Sequence, residues 1–187
     1  MTDRLTPDEF QALAAPWDEK VRAIVEERLR TNYHREQLAH FNALEAATLG
    51  ALLVRLIPQS EGIDLVGFID ATLGIPFGRG DRKPGQPDEA TLMADGLRAM
   101  EKTSQHLHRK SFHTLVPYAQ ERLIDAAFHD GGFINLLYRK ALHGYFAHPR
   151  AWMRIGYMGP SYPEGYGWLK ESEVAQRHAR AEGWDRL

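Results

Sequence analysis

Four histidines and two aspartates are the residues whose types and spacing could hold a metal ion. They lie close together in the sequence: His106, His108, His113, Asp125, His129 and Asp130. Neutral imidazoles and a carboxylate are ligands that zinc and iron accept. His106 and His108, however, lie on different helix faces, because residues two apart do not face each other. The sequence favours a solvated or structural role, with a metal site built from His106, His113 and His129 and one aspartate as the alternative.

Other catalytic motifs are incomplete. Gly78 to Lys83 matches only the first two glycines of a dinucleotide fingerprint, and no strand is predicted before it. The stretch from Gly159 to Pro163 fails the nucleophile-elbow pattern at its last position. The chain has no H-E-x-x-H and no E-x-x-H motif. These observations predict that the chain holds no catalytic centre and no cofactor of its own.

Composition narrows the classes of function further. The chain of 187 residues has a net charge of −2, which gives no broad electrostatic basis for binding nucleic acid. It contains no cysteine, which excludes disulfides and thiolate metal sites. No apolar run approaches the roughly 20 residues that span a bilayer. The N-terminus carries no export signal, so a cytoplasmic location is expected, or a periplasmic one if a signal-bearing partner directs export.

Helical periodicity and capping signals predict the elements that must position any site. Thr6, Pro7 and Glu9 form the start of a first helix, which Pro16 interrupts. Apolar spacing then predicts further helices at about 35–57, 62–75, 88–108, from Pro117, and at 134–146. The predicted helix at 35–57 contains Arg55, whose expected partner is Asp64 or Asp70 in the next helix. Met93, Leu97, Met100 and Leu107 mark the apolar stripe of the 88–108 helix, and residues 76–89 are expected to form an exposed loop.

Residues 144–169 combine many aromatic side chains with irregular backbone signals. The stretch contains seven of the chain's 19 aromatic residues among five glycines and three prolines. Such a composition disfavours helix and strand, so residues 149–169 are expected to form an extended arm. Tyrosine and tryptophan suit interfaces, because one end is apolar and the other forms hydrogen bonds. The arm's rings can bury on the chain's own core, on a partner, or on both. Tyr145, at the root of the arm, should belong to the core.

Four segments together resemble the gluconate 2-dehydrogenase subunit 3 family. They are FNALEAATLGALLVRLIP (41–58), GFID (67–70), INLLYRKALHGYFAHP (134–149) and W..IGYMGP (152–160). The resemblance covers about residues 41–169. It implies a small, helical, non-catalytic subunit that binds, stabilises or helps mature a large flavoprotein of the glucose–methanol–choline type. The large subunit would hold FAD and oxidise a sugar, sugar acid or glycoside.

The predicted organisation is a single all-α domain, an irregular helical bundle with a long C-terminal arm. It comprises an added and separable N-terminal helical segment (1–40), a helical core (41–148), the aromatic arm (149–169) and a polar C-terminal helix (170–187). The expected partner-binding residues are Trp152, Tyr157, Tyr162, Tyr166 and Trp168. Trp152 and Tyr157 are the ones expected to anchor the arm to the core. Besides the subunit function, a stand-alone metalloenzyme and a helical adaptor without a redox partner remain alternatives.

Overall fold

A computed structural model describes residues 5–33, 36–73, 87–129 and 132–160, and over these ranges the chain is helical without a β-strand. The helices are α1 (Pro7–Ala14), α2 (Glu19–Asn32), α3 (Ala43–Leu56), α4 (Leu65–Leu73), α5 (Glu89–His108), α6 (Pro117–His129), α7 (Gly132–Phe146) and α8 (Pro149–Ile155). Two 3-10 turns are present at Pro58–Ser60 and Phe112–Thr114. The predicted all-α class is confirmed. Within these ranges, no helix is both long and apolar enough to cross a bilayer.

The main core lies between α3 and α7, each of which packs against α4, α5 and α6. Leu49 and Leu52 of α3 and Ile134 and Leu137 of α7 are fully buried. The apolar stripe predicted for the 134–146 helix is therefore confirmed, and Tyr145 at its end is buried as expected.

The predicted helix starts are largely confirmed. Thr6 accepts a hydrogen bond from the Glu9 N–H, and the Glu9 side chain accepts one from the Thr6 N–H, which completes the capping box. Asp88 caps α5, which ends at His108 as predicted. Leu107, however, was wrongly placed on the apolar stripe of α5, because its side chain is exposed. Residues 76–86 of the predicted loop and the predicted helix at 170–187 lie outside the described residues.

The predicted start of α3 near residue 35 is wrong, because the helix begins only at Ala43. Asn42 caps it in a second capping box with Glu45. The residues before it are held in a non-helical conformation by Asp70, a fully buried side chain of α4. Its carboxylate accepts hydrogen bonds from the N–H groups of Ala39 and His40 at 2.9 and 2.7 Å. These bonds supply partners for a buried charge, which would otherwise be costly.

The expected pairing of Arg55 with Asp64 or Asp70 is also wrong. Within the described residues, Arg55 instead forms an ion pair with Glu121 of α6, whose carboxylate lies 3.8 Å from the guanidinium. Asp64 instead accepts a hydrogen bond from the Gly67 N–H at 2.9 Å, within the first turn of α4. Arg55 is half-buried in the last turn of α3, and its Nε is buried without a hydrogen-bond partner, so the ion pair with Glu121 compensates its charge only in part.

The N-terminal segment contacts the rest of the chain at two places. Tyr33, at the end of α2, is buried in the main core and donates a hydrogen bond to the Gly144 carbonyl at 2.7 Å. Burial raises the pKa of the Tyr33 hydroxyl, although the nearby Arg28 opposes this effect. Trp17 lies in a second apolar cluster that includes Trp152 of α8. The separability of residues 1–40 stays a prediction, and these contacts oppose it.

Helices α4 and α7 approach each other closely at Gly144. A Cβ atom built on Gly144 would lie 2.6 Å from Phe68 Cδ1 and 3.0 Å from Leu65 Cδ2. Both of these side chains belong to α4 and are buried. The close backbone contact expected for Gly144 is therefore confirmed, and any side chain at this position would push α4 away.

Gly144→Ala should lower the free energy of unfolding by about 1–3 kcal/mol, because the added methyl group overpacks the α4–α7 contact. Gly50→Ala in α3 is the matched control, since its Cβ would meet only Val66 Cγ2 at an ordinary 3.8 Å. The control should be neutral or stabilising by up to about 1 kcal/mol, because alanine favours helix. Urea unfolding of both variants measures the difference. Equal effects at the two positions would refute the close packing at Gly144.

Glu101 of α5 fixes the turn that leads into α6. Its carboxylate accepts a hydrogen bond from the N–H of the buried Phe112 at 2.9 Å and another from Gln105 at 3.1 Å. The Phe112 carbonyl in turn accepts one from Gln120 at 3.1 Å. Partial burial alone would raise the pKa of Glu101, but the hydrogen bonds from Phe112, Gln105 and Ser111 outweigh it. The pKa of Glu101 therefore lies below its ordinary value.

Glu101→Gln should cost about 1 kcal/mol at neutral pH, because it removes a charge-assisted hydrogen bond to Phe112. The folded-state pKa is lowered, so the contribution is complete above the ordinary value of 4.5 and is lost as the pH falls through the folded-state pKa. The stability of wild type and variant should therefore converge in acid. Glu26→Gln, an exposed change of the same charge on α2, is the control. A constant difference between wild type and Glu101→Gln at every pH would contradict this account.

Candidate partner interface

The arm begins with a helix, so the expectation of extended backbone from residue 149 is wrong for its first third. His148 caps α8 by accepting a hydrogen bond from the Arg150 N–H at 3.1 Å, and Pro149 occupies the first helical position. A proline there costs nothing, because the first N–H groups of a helix lack intrahelical partners anyway. The glycines that disfavour helix start only at Gly156, which ends α8 with a left-handed backbone conformation.

Four aromatic rings contact one another in a row that includes one residue of α8. We call them the aromatic row: Phe10, Trp17, Trp152 and Tyr157. Successive ring centroids are 5.9, 5.7 and 5.4 Å apart, and each pair meets edge to face. Such pairs contribute about 0.5–1.5 kcal/mol each beyond the area that they bury. Trp152 is therefore held between the N-terminal segment on one side and the arm on the other.

The indole N–H groups of the row fix the backbone on both sides of α8. Trp152 Nε1 donates to the Phe146 carbonyl at 2.6 Å. Trp17 Nε1 donates to the Met158 carbonyl at 2.8 Å. Gly159 then crosses the Trp17 ring so closely that a Cβ there would lie 2.4 Å from Nε1. Its φ of +92° also disfavours other residues, so glycine is required at this crossing.

Two arginines attach α8 to neighbouring elements. Arg150 lies 3.6 Å from the Glu9 carboxylate of α1. Arg154 donates to the carbonyls of Gln59 and Glu61, the second at 2.8 Å, next to the first 3-10 turn. The helix is short, but contacts on several sides hold it in one position.

Four exposed apolar side chains lie on this well-packed helix or close to it in the chain. We call them the apolar rim: Phe146, Met153, Ile155 and Met158. Each is 39–67% exposed. The other large exposed apolar side chains of the described residues are distributed over α2, α3, α5, α6 and α7 and the residue before α6. Since single exposed apolar residues are normal and a concentration of them marks an interaction site, the rim is the candidate partner interface.

The structure describes two of the five predicted partner-binding residues. Trp152 is only 5% exposed, and Tyr157 is half-buried against it. Both lie where an anchor of the arm is expected, and Trp152 leaves little surface for a partner. Tyr162, Tyr166 and Trp168 lie outside the described residues, so their role stays a prediction. Sequence analysis missed the apolar rim, whose only signal was the presence of apolar residues on both sides of Trp152.

Three of the four histidines considered as alternative metal ligands have described side chains, and these lie on the surface. His106, His108 and His113 are exposed, and so is Asp125. In the part of the chain that the structure describes, no group of three histidine or acidic side chains could hold a metal ion. The side chain of His129 and all of Asp130 fall outside that part.

The fold and this surface define an all-α protein in which a short, fixed helix presents exposed apolar side chains. A family model described as gluconate 2-dehydrogenase subunit 3 matches residues 43–159, from the start of α3 to the crossing at Gly159. The chain belongs to the gluconate 2-dehydrogenase subunit 3 family. A search of curated proteins and a search of solved structures gave no match. The predicted resemblance is confirmed, and α1 and α2 lie before the matched region.

Trp152→Ala should lower the free energy of unfolding of the chain by about 3–5 kcal/mol, because it opens a cavity in the aromatic row. It also removes the hydrogen bond to the Phe146 carbonyl. Tyr118→Ala is the control, since that ring on α6 is 72% exposed and its loss should change stability by no more than about 0.5 kcal/mol. Urea unfolding followed by circular dichroism measures both. A loss below about 1 kcal/mol for Trp152→Ala would show that the row is not part of the core.

Proposed function

We propose that this chain is a non-catalytic small subunit that binds and stabilises a large FAD-dependent dehydrogenase of the glucose–methanol–choline type. Membership of a family described as a subunit of gluconate 2-dehydrogenase supports an assembly of this kind. In this proposal the large subunit holds FAD and oxidises a sugar, sugar acid or glycoside. The small subunit provides a binding surface for the large subunit and no catalytic residue. In the same proposal the complex is cytoplasmic.

The observation that carries the proposal is the apolar rim on a rigid support. Burying apolar surface contributes roughly 25 cal/mol per Å² to the free energy of association. A partner that covers the side chains of the apolar rim, which are exposed in the isolated chain, would therefore stabilise the complex. The aromatic row fixes α8 beforehand, which reduces the entropy lost when a partner binds. A partner with a complementary apolar groove would gain affinity from both effects.

The arm would extend this contact beyond residue 160. Trp17 fixes the backbone at Met158 and Gly159, so the residues after 160 continue from a defined point. Tyr162, Tyr166 and Trp168 follow within a few residues of that point. We assign them to the flavoprotein surface, where glycines allow turns and prolines limit the entropy lost on ordering.

Ile155→Glu should weaken binding of the large subunit by more than about tenfold, because the charge would be buried in the interface. Trp168→Ala should weaken it similarly, as expected for an aromatic anchor. Val116→Glu is the matched control, since Val116 is an aliphatic side chain just before α6 that is at least as exposed as Ile155. Co-purification of the yellow flavoprotein with each tagged variant, followed by titration of the separated subunits, measures the affinities.

Thermal unfolding of the free subunit separates an interface role from a folding role. Ile155→Glu and Trp168→Ala should leave its midpoint nearly unchanged while assembly fails. If both variants bind the large subunit as wild type does, the proposed interface is wrong. Stoichiometric FAD binding by the isolated small subunit would contradict its assignment as the non-catalytic component.

A further inference from the structure

An apolar groove lies between the end of α3, the first 3-10 turn and the start of α4. It has a volume of about 490 Å³. Gly50 and Gly62 line it, and the lack of side chains at these positions leaves room for those of another molecule. Val54 is 52% exposed, so part of the apolar surface faces water. The walls are formed by six apolar residues: Leu53, Val54, Pro58, Ile63, Leu65 and Val66.

The charged residues of the groove are acidic. Among the lining residues that the structure describes, Glu61 and Asp64 are the charged ones, and both carry carboxylates. Asp64 accepts the hydrogen bond from the Gly67 N–H in the first turn of α4. The Glu61 carboxylate is exposed and forms neither a hydrogen bond nor an ion pair with a described residue. Its charge is therefore available to a cation of another molecule.

Arg154 connects the groove to the apolar rim. Its guanidinium donates to the carbonyls of Gln59 and Glu61, and Glu61 lines the groove. Its neighbours in α8, Met153 and Ile155, belong to the rim. About the length of one arginine side chain thus separates α8 from the edge of the groove. With the positive charge of Arg154 added to the two carboxylates, this surface keeps one net negative charge.

We propose that the groove binds a short apolar segment of the large subunit that also carries a lysine or an arginine. Its apolar side chains pack against Val54 and Val66, and its cation lies beside Glu61. An acidic segment would be rejected, because like charges across an interface repel each other. The identity of the partner rests on the proposed function. The groove adds a second contact beside the apolar rim and specifies the chemistry of the segment that fills it.

Protection of an introduced thiol tests whether the large subunit covers the groove. The chain contains no cysteine, so Val54→Cys introduces a single thiol, and Val116→Cys, outside the groove and the rim, is the matched control. In the free subunit both thiols should react with a maleimide dye at similar rates. In the complex with the flavoprotein, the thiol at position 54 should react at least about tenfold more slowly, whereas the thiol at position 116 should keep its rate.

Two results of this labelling would overturn the proposal. An equal rate at position 54 in the free subunit and in the complex would show that the large subunit leaves the groove open. Slow labelling at position 54 in the free subunit, with fast labelling at position 116, would show that the chain itself or a second copy fills the groove.

Charge variants test the chemistry of the segment. Glu61→Lys should weaken binding of the large subunit at least about tenfold, because it places a cation beside the segment's cation. Glu61→Gln should weaken it about two- to fivefold, since an exposed ion pair contributes little. Glu26→Lys is the control for net charge, because Glu26 is exposed on α2. Unchanged or tighter binding by Glu61→Lys would refute the basic segment.

The same titrations separate this inference from the proposed function. If wild type binds the flavoprotein and Ile155→Glu does not, but Val54→Glu and Glu61→Lys bind as wild type does, the groove is not a contact and the proposed function stands. If wild type binds no flavoprotein, both are wrong.

Discussion

The close approach of α4 and α7 at Gly144 is the contact on which most of the structure depends. Because no Cβ intervenes, Phe68 and Leu65 pack directly on the backbone of α7. The Gly144 carbonyl remains accessible to the Tyr33 hydroxyl, so α2 is attached at the same point. Tyr33 also meets the His148 ring edge to face at 4.8 Å, which orients the cap of α8. Because glycine at position 144 has no side chain, α2, α4, α7 and α8 can pack around this one point.

This arrangement separates two kinds of surface. On one side of α7, the chain turns through His148 into α8, where the aromatic row supports the apolar rim. Phe68 and His143, which adjoin Gly144, line a polar cleft between α2, α4 and α7. Both surfaces depend on the same buried contact but share no residue.

Much of the fold could be predicted from local signals. The cap at Thr6, the break at Pro16, the cap at Asp88 and the stripe on α7 each depend on residues near one another in sequence, where spacing is informative. The start of α3 was missed because Leu38 and Phe41 continue its apolar spacing. The helix does not extend back through these residues because the Asp70 carboxylate, about 30 residues away, holds the backbone at Ala39 and His40 in a non-helical conformation. The partner of Arg55 was missed for the same reason, since Glu121 lies on a distant helix.

The candidate interface could be predicted only in part. Composition indicated an aromatic arm with Trp152 and Tyr157 near its root, but periodicity could not reveal that Pro149 starts a helix. Nothing in the sequence links Trp17 to Met158, because hydrogen bonds to backbone carbonyls leave no pattern of residue types. The hydrogen bond between these residues spans 141 positions. During synthesis Trp17 therefore emerges from the ribosome long before its acceptor exists, and α1 cannot complete its packing until α8 and the arm root have been translated. The packing of α1 against α8 therefore depends on a contact of long sequence separation, which forms later than contacts between neighbouring helices.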